Sequence, residues 1–205
     1  KILSNNSPND VDLKDNYMVL HIGSSHEYPI RSLGVNNWQK LINEIIKNYP
    51  VKIIFIGNEV EKNIINKIIN GIDNKLIKRV INLAGKTSIK QLIKLIFFSE
   101  FVISSDSGPG QIAGIMSKKQ IMLFGSTNHT LANPINANCI KIYRQYECSP
   151  CYESANYYNC PYNNKCMNEI SIDTIIQTIA LINNRSFKKT QINGDFVERC
   201  FRENL

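Results

Sequence analysis

Long apolar runs are missing from this chain. No stretch approaches the roughly 18 apolar residues that a membrane-spanning helix needs, and no charged, apolar and small-residue leader opens it. The expectation is a soluble cytoplasmic protein. A basic block is missing too. The 24 Lys and Arg residues outnumber the 17 acidic ones to give a net charge of +7, yet they are scattered through Asn- and Ile-rich sequence. Without a basic stripe interleaved with aromatics, nucleic acid is not an expected partner. The excess reads first as a solvated surface and second as attraction to an anionic ligand or to a membrane surface, where the protein would sit peripherally. Periodicity is absent from residues 1–16, which read as a linker from a preceding domain, and from the tail 184–205, to which no structure is assigned.

What is present is enough apolar sequence, 43% of 205 residues, for one sizeable core. From residue 17 short apolar runs alternate with helical patterns. The runs YMVLHI (17–22), VKIIFIG (51–57), RVINLAG (79–85), FVISS (101–105) and QIMLFG (120–125) read as buried strands. Between them, Trp38, Leu41, Ile42, Ile45 and Ile46 recur at helical spacing behind a candidate cap at Asn36 or Asn37. Val60, Ile64, Ile65, Ile68 and Ile69 form a second stripe, with Glu61 off it in the first turn, and Thr87 or Ser88 caps a third helix. Another helix is expected at about 171–183. The alternation predicts an α/β fold, a Rossmann-like parallel sheet with helices on both faces, over residues 17–183. Ligands of such sheets bind at the carboxyl ends of the strands, where Gly23, Gly57, Gly85, the 106–110 loop and Gly125 fall.

The stretch SSDSGPGQIAG (104–114) breaks sharply between a buried strand and a helix. Gly108 and Gly110 would let backbone approach a ligand, Pro109 suits the first helical position, and a helix N-terminus offers N–H groups to an anion. Asp106 beside it would accept hydrogen bonds from hydroxyls, and a capped tight turn is the plainer reading. No Asp-x-Asp carboxylate pair stands near the loop, so no magnesium or manganese requirement is expected.

The ordered motifs LAGKTS (83–88), DSGP (106–109) and FGST (124–127) resemble the nucleotide-sugar-binding half of glycosyltransferase family 9, the ADP-heptose:lipopolysaccharide heptosyltransferases. LHIGSS with the following Arg31 segment, and the CSPC…CP…CM stretch, are similar to further parts of that family. The resemblance implies the C-terminal half of a GT-B fold that binds ADP-heptose or a related nucleotide sugar without a required cofactor. A general base, and the contact with a glycolipid or glycan acceptor, would come from an N-terminal domain missing from this chain. Carried over by position, Asp106, Ser107, Gly108 and Pro109 hold the diphosphate and donor sugar, and Glu61 bonds the ribose. Lys86 and Thr87 lie against the adenine, and Ser24 and Ser25 donate to phosphate oxygens. Arg31 stands where the family usually has Lys, and Gln111, which cannot become a cation, replaces a His. A binding module that has lost catalysis, and a nucleotide-sugar epimerase of similar fold, are the alternative functions.

Cys148, Cys151, Cys160 and Cys166 fall within 19 residues in the Cys- and Tyr-rich segment 144–167. Their spacing leaves open a packed thiol cluster, a structural zinc site or disulfides. His21, within a strand, reads as core, while His26 and His129 could reach the ligand cleft from loops.

Overall fold

The computed structural model describes residues 7–8, 11–23, 31–134, 138–152, 154, 158–184 and 187–200. Five expected strands form at Tyr17–His21 (β1), Lys52–Ile56 (β2), Val80–Asn82 (β3), Phe101–Ser105 (β4) and Gln120–Phe124 (β5). All five pair in parallel, and a sixth, Cys139–Tyr143 (β6), continues them. Every residue of β1, β4, β5 and β6 is buried, as a sheet covered on both faces requires. Two strands, Lys189–Ile192 (β7) and Asp195–Arg199 (β8), complete an eight-stranded sheet in the order β3-β2-β1-β4-β5-β6-β8-β7.

The helices are Val35–Asn48 (α1), Glu59–Asn70 (α2), Ile89–Phe98 (α3), Gly108–Ile115 (α4), Lys165–Asn168 (α5) and Ile172–Leu181 (α6). On one face α1, α2 and α6 bury Trp38, Leu41, Ile45, Ile65, Ile68 and Ile175 against the sheet. On the other, α3 and α4 bring Leu95, Ile96 and Ala113 against Tyr17, Val19 and Val102. Helices α1, α2 and α6 cover their face because their apolar residues recur at 3.6-residue spacing.

Two expectations about local structure are corrected. The cap of α1 is Gly34 rather than Asn36 or Asn37, and its N–H donates to Asn168 Oδ1 at 2.9 Å, so a residue 134 positions away closes the helix end. The tail, to which the sequence assigned no structure, contributes β7 and β8, a hairpin whose β8 pairs antiparallel with β6. Lys141 and Lys189 both lie opposite Glu198 in the strand registers, each with Nζ 3.4 Å from a carboxylate oxygen. Cys200 follows β8, its N–H donating to the Cys139 carbonyl at 2.8 Å and its thiol 2.9 Å from the Cys139 thiol.

Candidate functional site

Strand order reverses direction between β1 and β4, the point at which an open parallel sheet leaves a crevice beyond its carboxyl ends. Gly23 follows β1 here at φ +70, and a side chain on it would meet Ser105 Oγ at 1.9 Å, so only glycine lets the chain after β1 lie against the end of β4. The Ser105 hydroxyl donates to the Ile22 carbonyl at 2.9 Å, tying the two strands at the crevice floor.

The loop after β4 turns straight into α4. Ser107 is the N-cap, with Oγ accepting from the Gly110 N–H at 3.4 Å, and the helix starts at Gly108, which places Pro109 second rather than first. The two glycines serve different purposes. A Cβ on Gly108 would meet nothing within 4 Å, whereas one on Gly110 would meet Met122 Cε and Ser104 Oγ at 2.5 Å each. Gly110 therefore lets α4 press against the sheet and is not a ligand contact, while the open space belongs to Gly108.

Beside this turn lies a cavity of about 520 Å³ lined by Arg31, Asp106, Thr127 and Asn128, with Leu131, Ala132, Pro150 and Tyr152 as its less polar wall. Burial raises the Asp106 carboxyl above the usual range, against the opposing pull of hydrogen bonds with Thr127 and Gln111 and of the Arg31 charge. Gln111 also donates its Nε2 to the Ala132 carbonyl at 2.8 Å, so this neutral side chain joins the Asp106 loop to the wall after β5. The Arg31 guanidinium carbon lies 5.4 Å from the centre of the Tyr152 ring, a cation–π distance. Thr127 belongs to the FGST motif and Pro150 to the CSPC stretch, but neither was expected at the site, and Asn128, Leu131, Ala132 and Tyr152 carry no periodic or motif signal.

The other expected residues are spread along the same edge. Glu61 is 2% exposed, with Oε2 accepting the Asn58 N–H at 2.8 Å and Oε1 lying 3.4 Å from His21 Nε2. It completes a capping box with Asn58, because a carboxylate at the third position of a helix can reach back to the cap N–H. Its carboxylate is thus engaged within the protein rather than lining the 520 Å³ cavity. Lys86 and Thr87 form a half-buried turn after β3, also outside that cavity. Ser24, Ser25 and His26 lie outside the described residues.

His129 departs from expectation. Its ring stacks on Tyr143 at 3.7 Å and meets Phe124 edge-on at 6.5 Å, away from the cavity lining. Burial lowers its pKa, and Lys141 and Lys189 add to that against the pull of Glu198. All four cysteines of the Cys-rich segment are free thiols. Burial pushes Cys166 up to about 12, helped by its neighbours Cys151, Cys160 and Cys148. Thiolates would suit a soft metal, but among the described residues no three His, Cys, Asp or Glu side chains stand in an arrangement that could hold one.

The description of glycosyltransferase family 9 (heptosyltransferase) matches residues 4–161, most of the chain. The chain belongs to this family. Lipooligosaccharide heptosyltransferase 2 of Campylobacter jejuni is 32% identical over 129 residues, which are 62% of this chain and 39% of that protein. The chain thus spans well under half the length of that relative. The structure of Escherichia coli ADP-heptose lps heptosyltransferase II superposes with a TM-score of 0.69 at 15% identity, covering 82% of this chain and 47% of that one. A dodecameric iron-containing heptosyltransferase, TibC, of enterotoxigenic E. coli, solved with ADP-D-beta-D-heptose, superposes at 0.61 and 13% identity, covering 83% of this chain and 46% of that one. The fold is therefore that of one Rossmann-like half of these GT-B proteins. Among the described residues no helix is long and apolar enough to cross a membrane.

Proposed function

We propose that the chain is the donor-binding half of an inverting, metal-independent glycosyltransferase that takes ADP-heptose, or a related nucleotide sugar, and serves a lipopolysaccharide-core or other glycan acceptor. The single observation that carries this reading is the cavity beside α4. It brings a cation, Arg31, and a hydroxyl acceptor, Asp106, into the lining of one cavity, and Gly108, two residues beyond Asp106, has open space before it. Five strand ends, from β3 to β5, make an edge of roughly 19 Å at the usual strand spacing. Along it, base, ribose, diphosphate and sugar can lie in series, with Lys86 and Thr87 at the base, Glu61 near the ribose, and Ser107, Gly108 and Pro109 at the diphosphate.

In this arrangement the acceptor oxygen forms a bond to the anomeric carbon as the bond from that carbon to the diphosphate oxygen breaks. The acceptor proton passes to a base outside this chain. Arg31 and the start of α4 take up the charge left on the diphosphate, the part of the reaction that needs fixed positive dipoles. Asp106 orients the sugar through its hydroxyls. Gln111 holds the loops that frame both groups.

Calorimetric titration with ADP, UDP and GDP tests the donor class: ADP binds at least tenfold tighter, and equal affinities would remove the assignment. In the same assay Arg31→Ala weakens ADP binding by about tenfold, on the order of 1.4 kcal/mol. Asp106→Asn weakens the sugar nucleotide more than ADP, because only the sugar loses its acceptor. A binding module without transfer is the second reading, favoured by Gln111, which spends its amide on Ala132 and Asp106 and carries no charge.

A further inference from the structure

Helix α3 is more apolar than its packing needs. Seven of its ten residues are apolar, but only Leu95 and Ile96 are buried. Ile89 is 74% exposed, Phe97 58%, Phe98 47% and Ile93 37%, and on neighbouring α4 Ile115 is 84% exposed. At about 100° per residue, Ile89, Ile93 and Phe97 fall in one row along the helix, and Lys90, Lys94 and Phe98 in the next. The two phenylalanine rings meet edge to face at 5.1 Å. Lys118 donates to the Phe97 carbonyl at 2.9 Å at the far end of the helix, beside exposed Lys119. Against the four lysines 90, 94, 118 and 119 the segments 89–100 and 115–119 hold one carboxylate, Glu100.

We propose that α3, with Ile115 of α4, is the surface on which this protein lies against an anionic lipid membrane. Outward isoleucine and phenylalanine side chains reach the boundary between headgroups and acyl chains, and the adjacent lysines meet headgroup phosphates. Charge complementarity selects this occupant. A second copy of the chain would bring two lysine rows together, and like charges placed face to face cost association. The helix begins immediately after the Lys86–Thr87 turn, so the membrane-facing surface starts at the edge of the strand-end crevice. This inference uses no residue of the 520 Å³ cavity and stands apart from the donor assignment.

The test is co-sedimentation of the whole 205-residue chain with vesicles of phosphatidylcholine, with and without phosphatidylglycerol. The chain binds the anionic vesicles preferentially, and salt weakens the binding. Lys90→Glu with Lys94→Glu lowers binding by at least tenfold, about fivefold for each lysine lost. Phe97→Ser with Phe98→Ser also lowers it, while circular dichroism and ADP affinity stay as in the parent for both variants. Equal binding to the two vesicle types, or full binding by the Phe97→Ser, Phe98→Ser variant, would overturn the proposal. So would concentration-dependent self-association that the phenylalanine substitutions abolish while vesicles are ignored, since the face would then be an interface between copies. Loss of ADP binding by the parent would count against the donor reading and leave the vesicle result standing.

Discussion

The two faces of the sheet are covered by helices of similar length and unlike economy. On α1 the apolar residues Trp38, Leu41, Ile42, Ile45 and Ile46 are all essentially inaccessible, and the outward positions are Asn, Lys and Glu. On α3 the inward stripe is only two buried residues wide, and apolar side chains continue around to the outward pole. Core formation explains the first pattern completely. It does not explain the second, since an exposed phenylalanine contributes little to folding. The contrast separates residues that hold the fold from residues whose purpose lies outside it. The same distinction recurs within three residues at the start of α4, where Gly110 serves packing and Gly108 faces open space.

The largest test of this contrast is Trp38→Ala against Phe97→Ser. The first removes a fully buried ring and the bond its Nε1–H donates to Ser32 Oγ at 3.1 Å, and should lower unfolding free energy by about 3–5 kcal/mol in urea titration. The second should change it by no more than about 0.5 kcal/mol. A smaller effect is expected at the loop glycines. Gly110→Ala forces a methyl group against Met122 and Ser104 and should destabilise by about 1–3 kcal/mol. Gly108→Ala should leave the melting temperature unchanged and weaken ADP binding, which isothermal titration would read directly. If Gly108→Ala melts early, the turn needs that glycine for folding and the comparison between the two positions fails.

The smallest effect concerns the hairpin at the other edge of the sheet. Burial tends to raise the Glu198 carboxyl, but Lys141, the Tyr143 hydroxyl donating at 3.1 Å, and Lys189 outweigh it and hold it below its usual range. A carboxyl lowered in the folded state stabilises at pH above its unfolded value and loses that contribution as pH falls through the lower folded one. Hydrogen exchange of the β7 and β8 amides should therefore rise below the usual carboxylate range in the parent. In Glu198→Gln it should be raised already at neutral pH and respond less to acid.

Much of the candidate site was legible because its signals are local. Asp106, Ser107 and Pro109 announce a strand-to-helix turn by residue type alone, and Arg31 was expected near the ligand from the family pattern. The wall formed by Asn128, Leu131, Ala132, Pro150 and Tyr152 was not legible, since loop residues acquire a common surface only when β5, β6 and the Cys-rich segment are brought together. Glu61 was placed at the ribose by the family pattern, yet burial beside Asn58 and His21 gives it internal partners. Strand β6 escaped notice because Lys141 interrupts its apolar run, and that lysine is tolerated inside only through Glu198 of β8.

Apolar periodicity and punctuating glycines by themselves determined the first five strands, four of the helices between and after them, and the position of the strand-to-helix turn at 106–110, because each depends on neighbours a few residues away. Tertiary structure alone decided the cap of α1 by Asn168, the hairpin that extends the sheet, the division of labour between Gly108 and Gly110, and the outward exposure of α3. Those depend on which distant atoms occupy the adjoining space, and one-dimensional spacing carries no record of that.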